Sequence, residues 1–102
     1  MEQRKSKRFE LRLPLELVRS GRQTVSQMCE TRNLSSSGVL FRGNLRVELG
    51  QRIEYMITLS GNGNGSDVRI RCVGKIIRQG ETAEIAATLE RYEFVRNVHN
   101  IN

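Results

Sequence analysis

Tryptophan is absent, and histidine and proline each occur once. Only five residues are aromatic, three Phe and two Tyr. The lone histidine, His99, reads as an exposed side chain near the end of the sequence rather than a catalytic base. No Cys–His or Ser–His arrangement stands at a recognisable spacing, so nothing points to an enzyme. The two cysteines, Cys29 and Cys72, are far apart and have no Cys or His neighbour at ligand spacing. That argues against zinc and leaves them as reduced, semi-buried packing residues. No apolar run approaches the ~20 residues of a membrane-spanning helix. The basic N-terminus is not followed by an apolar h-region, so no secretory signal is expected and the expected compartment is the cytoplasm. One proline and nine glycines in 102 residues exclude a low-complexity chain.

What the sequence has in quantity is positive charge. Its net charge is +6 and its pI near 10.2. The cations are 14 Arg against 3 Lys. A guanidinium suits planar, bidentate contacts with phosphate and with the O6/N7 edge of guanine. The balance points to an anionic partner, although a basic surface also serves solubility. Four of the five residues from Arg4 to Arg8 are basic, and residues 1–12 have no clear period. They read as a flexible N-terminal arm, with one domain over residues 13–102.

The rest of the chain has the two-residue period of strands. Leu13, Leu15 and Leu17 alternate over residues 13–19, with Pro14 confining the start to an edge or first position. A second strand over 24–32 has Val25 and Cys29 as possible inward positions. A third, Val39 to Arg42, is followed by a connection anchored by Leu45, Val47 and Leu49. Residues 52–59 set Ile53, Tyr55, Ile57 and Leu59 on one face. Gly61 to Ser66 is a hairpin tip. Residues 67–78 set Val68, Ile70, Cys72 and Ile76 against Arg69, Arg71 and Lys75, with Gly74 marking a bulge or bend. Ala83, Ile85, Ala87 and Leu89 line a sixth strand, and residues 90–98 read as a short terminal helix or irregular tail. Six strands with hairpin-length connections and no crossover helix predict an all-β fold, a small six-stranded antiparallel β-barrel.

Two short motifs stand out on this frame. The first is Arg4-x-x-x-Arg8 in the arm. The second is Asn33-x-Ser35-x-x-Gly38 in the loop after the second strand. Taken alone, the loop is a turn of Asn, Ser and Gly. If the first two strands form a hairpin, arm and loop come to the same end of the barrel. Two guanidinium groups then face a polar loop, an arrangement suited to a planar anion. Arg neutralises phosphate and pairs with or stacks on guanine, Asn33 bonds a base edge, Ser35 offers a hydroxyl, and Gly38 permits close approach.

This combination resembles the PilZ domain, a bacterial receptor domain for cyclic di-GMP. The resemblance covers nearly the whole chain. It takes in the arm, Leu13-Pro14-Leu15-Glu16-Leu17, the Asn33–Gly38 loop with Val39-Leu40-Phe41, Gly50 ahead of the fourth strand, and Gly74-Lys75-Ile76. It implies a six-stranded barrel that binds cyclic di-GMP, often as a stacked dimer of the ligand, with no resident cofactor. Arg4 and Arg8 would engage phosphate and guanine, and Asn33, Ser35 and Gly38 the other side of the ligand. A downstream effector protein or a fused domain is the implied partner, and the domain itself would be a monomer or homodimer. Two positions depart from the pattern: Asn33 stands where Asp is common, and Ala86 where the family usually carries Gly. A carboxylate accepts from guanine N1–H and N2–H together, whereas an amide has one acceptor oxygen.

The resulting expectation is a second-messenger receptor whose arm closes over the ligand and changes the surface shown to a partner. The alternative is a PilZ-like adaptor that binds protein and not nucleotide. A third possibility, a barrel for single-stranded nucleic acid, has little support, because such barrels need exposed stacking aromatics.

Overall fold

A computed structural model describes residues 11–59 and 68–96. Seven strands are present: β1 (Pro14–Ser20), β2 (Gln23–Leu34), β3 (Gly38–Arg42), β4 (Arg52–Leu59), β5 (Val68–Gln79), β6 (Glu84–Thr88) and β7 (Arg91–Arg96). All pairings are antiparallel. The order is β4-β1-β2-β3-β6-β5, and the β4–β5 pairing closes these six strands into a barrel. The expected six-stranded barrel is therefore present, and no helix occurs among the described residues. Accordingly, none of them forms a helix long and apolar enough to cross a membrane.

The two-residue period decides which side chains fill the barrel. Leu15, Leu17, Val39, Phe41, Ile53, Tyr55, Ile57, Cys72, Ile76, Ile85 and Ala87 are all buried and form one core cluster with Val47. Their alternation with exposed or half-buried residues is the expected signature of a sheet solvated on one face. Val25 and Cys29 are half-buried and pack against this core, as does Leu45. Leu49, expected as an anchor, is 69% exposed instead. It lies just before Gly50, which adopts φ of +82°, and the turn there carries the side chain away from the barrel.

Residues 91–96 correct the expectation of a terminal helix or tail over 90–98: they form β7, which pairs with β5. β6 and β7 run in succession along β5. β6 pairs with Ile76, Arg78 and Gln79, and β7 with Val68 to Val73. Tyr92 and Phe94 alternate with Arg91 and Glu93 and are good strand formers, and pairing with β5 fixes this short run as a strand. The hairpin tip 61–66 and His99 lie outside the described residues.

The bend between β6 and β7 explains Gly74. A Cβ on Gly74 would stand 1.8 Å from the Thr88 carbonyl oxygen. The glycine permits a close backbone approach at the corner, while the register shift in β5 falls later, between Ile76 and Arg78. Thr88 joins three strands at this corner. Its carbonyl accepts from the Tyr55 hydroxyl (3.1 Å), and its own hydroxyl accepts from the Lys75 amide (2.9 Å) and donates to Glu90 (3.1 Å).

Candidate functional site

β1 and β2 form the expected hairpin, with Pro14 opposite Glu30 and Ser20 opposite Gln23. The chain entering β1 is therefore held beside the end of β2. Thr31 makes the attachment. It is fully buried, and its hydroxyl accepts from the Leu13 amide at 2.9 Å and donates to the Leu11 carbonyl. The Thr31 amide donates to the Leu13 carbonyl at 2.9 Å. The root of the arm is thus bonded two residues ahead of Asn33. Arg4 and Arg8 themselves lie outside the described residues.

A bulge places the next two side chains. Thr31 pairs with Phe41 and Asn33 with Leu40, so Arg32 is the extra residue. Strict alternation would turn Asn33 inward beneath Thr31. The bulge sets both Arg32 and Asn33 on the outside, where they line one pocket. The pocket has a volume of about 180 Å³ and is bounded by Arg12, Arg32, Asn33, Leu40 and Glu84. Arg32 is partly held by Glu84, at 3.7 Å. Arg12, at the end of the expected arm, borders the same pocket as Asn33, which β2 carries as a strand residue rather than the first loop residue expected.

The loop is closed by its own polar groups. The Ser35 amide donates to the Gly38 carbonyl at 3.0 Å. The Ser35 hydroxyl accepts from the Ser37 amide at 3.3 Å, which leaves Ser36 and Ser37 exposed at the turn. Gly38 begins β3, pairs with Thr88 and does not adopt positive φ. Its need is for space: a Cβ would stand 2.9 Å from the Ala87 carbonyl oxygen. The Ser37 carbonyl accepts from the Leu89 amide at 3.0 Å, which ties the loop to the β6–β7 corner.

Cross-strand register extends this surface. Asn33 lies opposite Leu40, Leu40 opposite Ala86, and Ala86 opposite Arg78. The row runs across four strands on the barrel's outer face and ends on an exposed guanidinium. Of the residues expected at the site, Asn33 lines the pocket, whereas Ser35 and Gly38 shape the adjoining turn and do not line it. Arg12, Arg32 and Glu84 were not foreseen. Arg12 had a signal, since it repeats the four-residue spacing of Arg4 and Arg8. Glu84 had none, because its approach to Arg32 depends on the pairing of β3 with β6.

Both cysteines are free. Burial pushes the Cys29 thiol up to about 11 and the Cys72 thiol up to about 12. Protonated thiols are poor nucleophiles and poor metal ligands, which suits packing roles.

The model of the PilZ domain matches residues 2–98. The chain belongs to the PilZ domain family, whose members are ligand-binding and adaptor domains rather than enzymes. No curated protein matches it.

Proposed function

We propose that this PilZ domain is a receptor module for cyclic di-GMP. The observation that carries the reading is the shared pocket. The family's loop, through Asn33, and the arm's root, through Arg12, border the same opening together with Arg32. The ligand brings two guanine edges and two phosphates. Asn33 bonds a base edge, Arg12 and Arg32 supply cations for phosphate, and Ser35 and Gly38 hold the loop in shape for close approach. Arg4 and Arg8 complete the site from the arm. Arg78, at the far end of the outer row, adds positive charge where a second base or a second ligand would rest. Cyclic di-GMP acts here as a signal, with no cofactor, and ordering the arm alters the face offered to an effector protein or fused domain.

The test is calorimetric titration with cyclic di-GMP, beside GMP and a short single-stranded oligonucleotide. Saturable heat with cyclic di-GMP alone is expected. Arg8→Ala should abolish it, and Arg12→Ala should weaken it about tenfold, the usual scale for one charged hydrogen bond. No heat with cyclic di-GMP would overturn the receptor reading in favour of the nucleotide-free adaptor.

A further inference from the structure

The strand β7 has one neighbour. It pairs with β5, and its other edge pairs with no strand among the described residues. Natural edge strands are guarded by proline, bulges, charged side chains, inward charges or short length, and the sequence of β7 has only the charges of Arg91, Glu93 and Arg96. β7 is six residues long, contains no proline and pairs with β5 in unbroken register.

Its inner face is apolar and uncovered. Tyr92 lies opposite Cys72, which lies opposite Tyr55, which lies opposite Leu17. Phe94 lies opposite Ile70, then Ile57, then Leu15. The two rows begin in the barrel core and end on aromatic rings that are 60% and 62% exposed. The rings contact each other edge-to-face, 6.0 Å between centroids. Single exposed apolar residues are ordinary, but two joined aromatics on an open edge mark an interaction surface.

We propose that β7 is a self-association edge, on which a second copy of this chain docks its own β7 antiparallel about a two-fold axis at Glu93. Self-pairing of a strand is isologous, so each contact occurs twice. Centring the axis on Glu93 places Tyr92 opposite Phe94 of the second copy on the inner face. Four rings then form one aromatic ladder, a favourable cross-strand pairing. Centring it between residues would instead set Tyr92 opposite Val95, which belongs to the other face. The outer face is charge-compensated in the chosen register. The two Glu93 carboxylates meet at the axis, and each already has Arg71 of its own chain at 3.5 Å. The Arg91 of each copy lies diagonally across from the other's Glu93, within reach of a long side chain. Two carboxylates are thus flanked by four guanidinium groups. The surface is distinct from the nucleotide site, and the proposal does not depend on nucleotide binding.

Sedimentation equilibrium on the 102-residue chain, up to about 0.5 mM, reads the association directly. A concentration-dependent dimer is expected. Phe94→Arg should return it to the monomer mass, with an unchanged melting temperature at dilute concentration where both proteins are monomeric, since the ring is largely outside the core. Cysteine cross-linking reads the register. In an antiparallel pair, directly opposed Cα atoms are about 5 Å apart, within disulfide reach. Glu93→Cys should therefore give a covalent dimer on oxidation. Val95→Cys should not, because the two 95 positions are then about 13 Å apart along the strands. A monomer throughout the concentration range would overturn the proposal. So would a dimer that survives Phe94→Arg, or equal cross-linking by both cysteine variants.

Discussion

The buried hydroxyl of Thr31 and the amide of Leu13 are bonded at 2.9 Å, and this contact decides where the basic arm begins. The same hydroxyl donates to Leu11, so one side chain serves two backbone groups of the segment leading to Arg8. Thr31→Val keeps the shape and removes both bonds. It is expected to destabilise the domain by about 1 kcal/mol, the scale of a hydrogen bond lost at a partly buried amide. Cyclic di-GMP affinity should fall as well, because the arm's root is no longer held beside Asn33. Thr31→Ser keeps the hydroxyl and should lose less on both counts. Urea unfolding and calorimetry of the three proteins make the comparison.

Gly74 and Gly50 separate two reasons for glycine. At Gly74 an added methyl meets the Thr88 carbonyl at 1.8 Å, so the β6–β7 corner must move. Gly74→Ala is expected to cost about 3 kcal/mol, at the upper end for overpacking. At Gly50 nothing lies within 4 Å, but φ is +82°. Gly50→Ala meets only backbone strain, about 1–2 kcal/mol. Thermal melts that rank the two variants in the opposite order would refute this account of the corner.

The buried thiols give stability a defined pH dependence. From an ordinary value of 9.0, Cys72 is raised to about 12 and Cys29 to about 11, both by burial. Tyr55 is raised too, by burial first and then by the Cys72 and Glu90 charges. A raised acid favours the folded state only while it stays protonated. The contribution is complete below about pH 9, where the unfolded thiols titrate, and is lost as pH climbs toward 11 and 12. The melting temperature should fall steadily from pH 9 upward. Cys72→Ala, whatever its own packing cost, should show a shallower alkaline decline.

Asn33 offers a direct test of ligand chemistry. Asn33→Asp supplies a second acceptor for the N1–H and N2–H of guanine, and Arg12 and Arg32 border the same pocket to balance the charge. Tighter cyclic di-GMP binding, about three- to tenfold, is expected by calorimetry. Unchanged or weaker binding would mean that Asn33 does not face a guanine edge.

Much of the barrel was legible from local pattern. Ile53, Tyr55 and Ile57, and likewise Ile85 and Ala87, alternate because a strand turns successive side chains to opposite faces. Their burial follows wherever one face meets the core. Residues 91–96 were not legible in this way. Tyr92 and Phe94 alternate with Arg91 and Glu93, but the run is short and ends on Val95 and Val98, so the pairing with β5 was needed to read it as a strand. The loop motif was readable because its turn chemistry is local, down to the Ser35–Gly38 hydrogen bond.

Local chemistry therefore sufficed for the strands, the turn and the excess of arginine, since each depends on neighbours in the chain. The tertiary structure decided which way Asn33 points. One extra residue, Arg32, shifts the β2–β3 register and turns Asn33 from the core side to the pocket side. It also brought Glu84 to Arg32, and the β5–β6 hairpin with Arg78 into the row of Asn33, through the pairing of β3 with β6, strands distant in sequence. Register between such strands is set by the closed core as a whole, and no window of the sequence contains it.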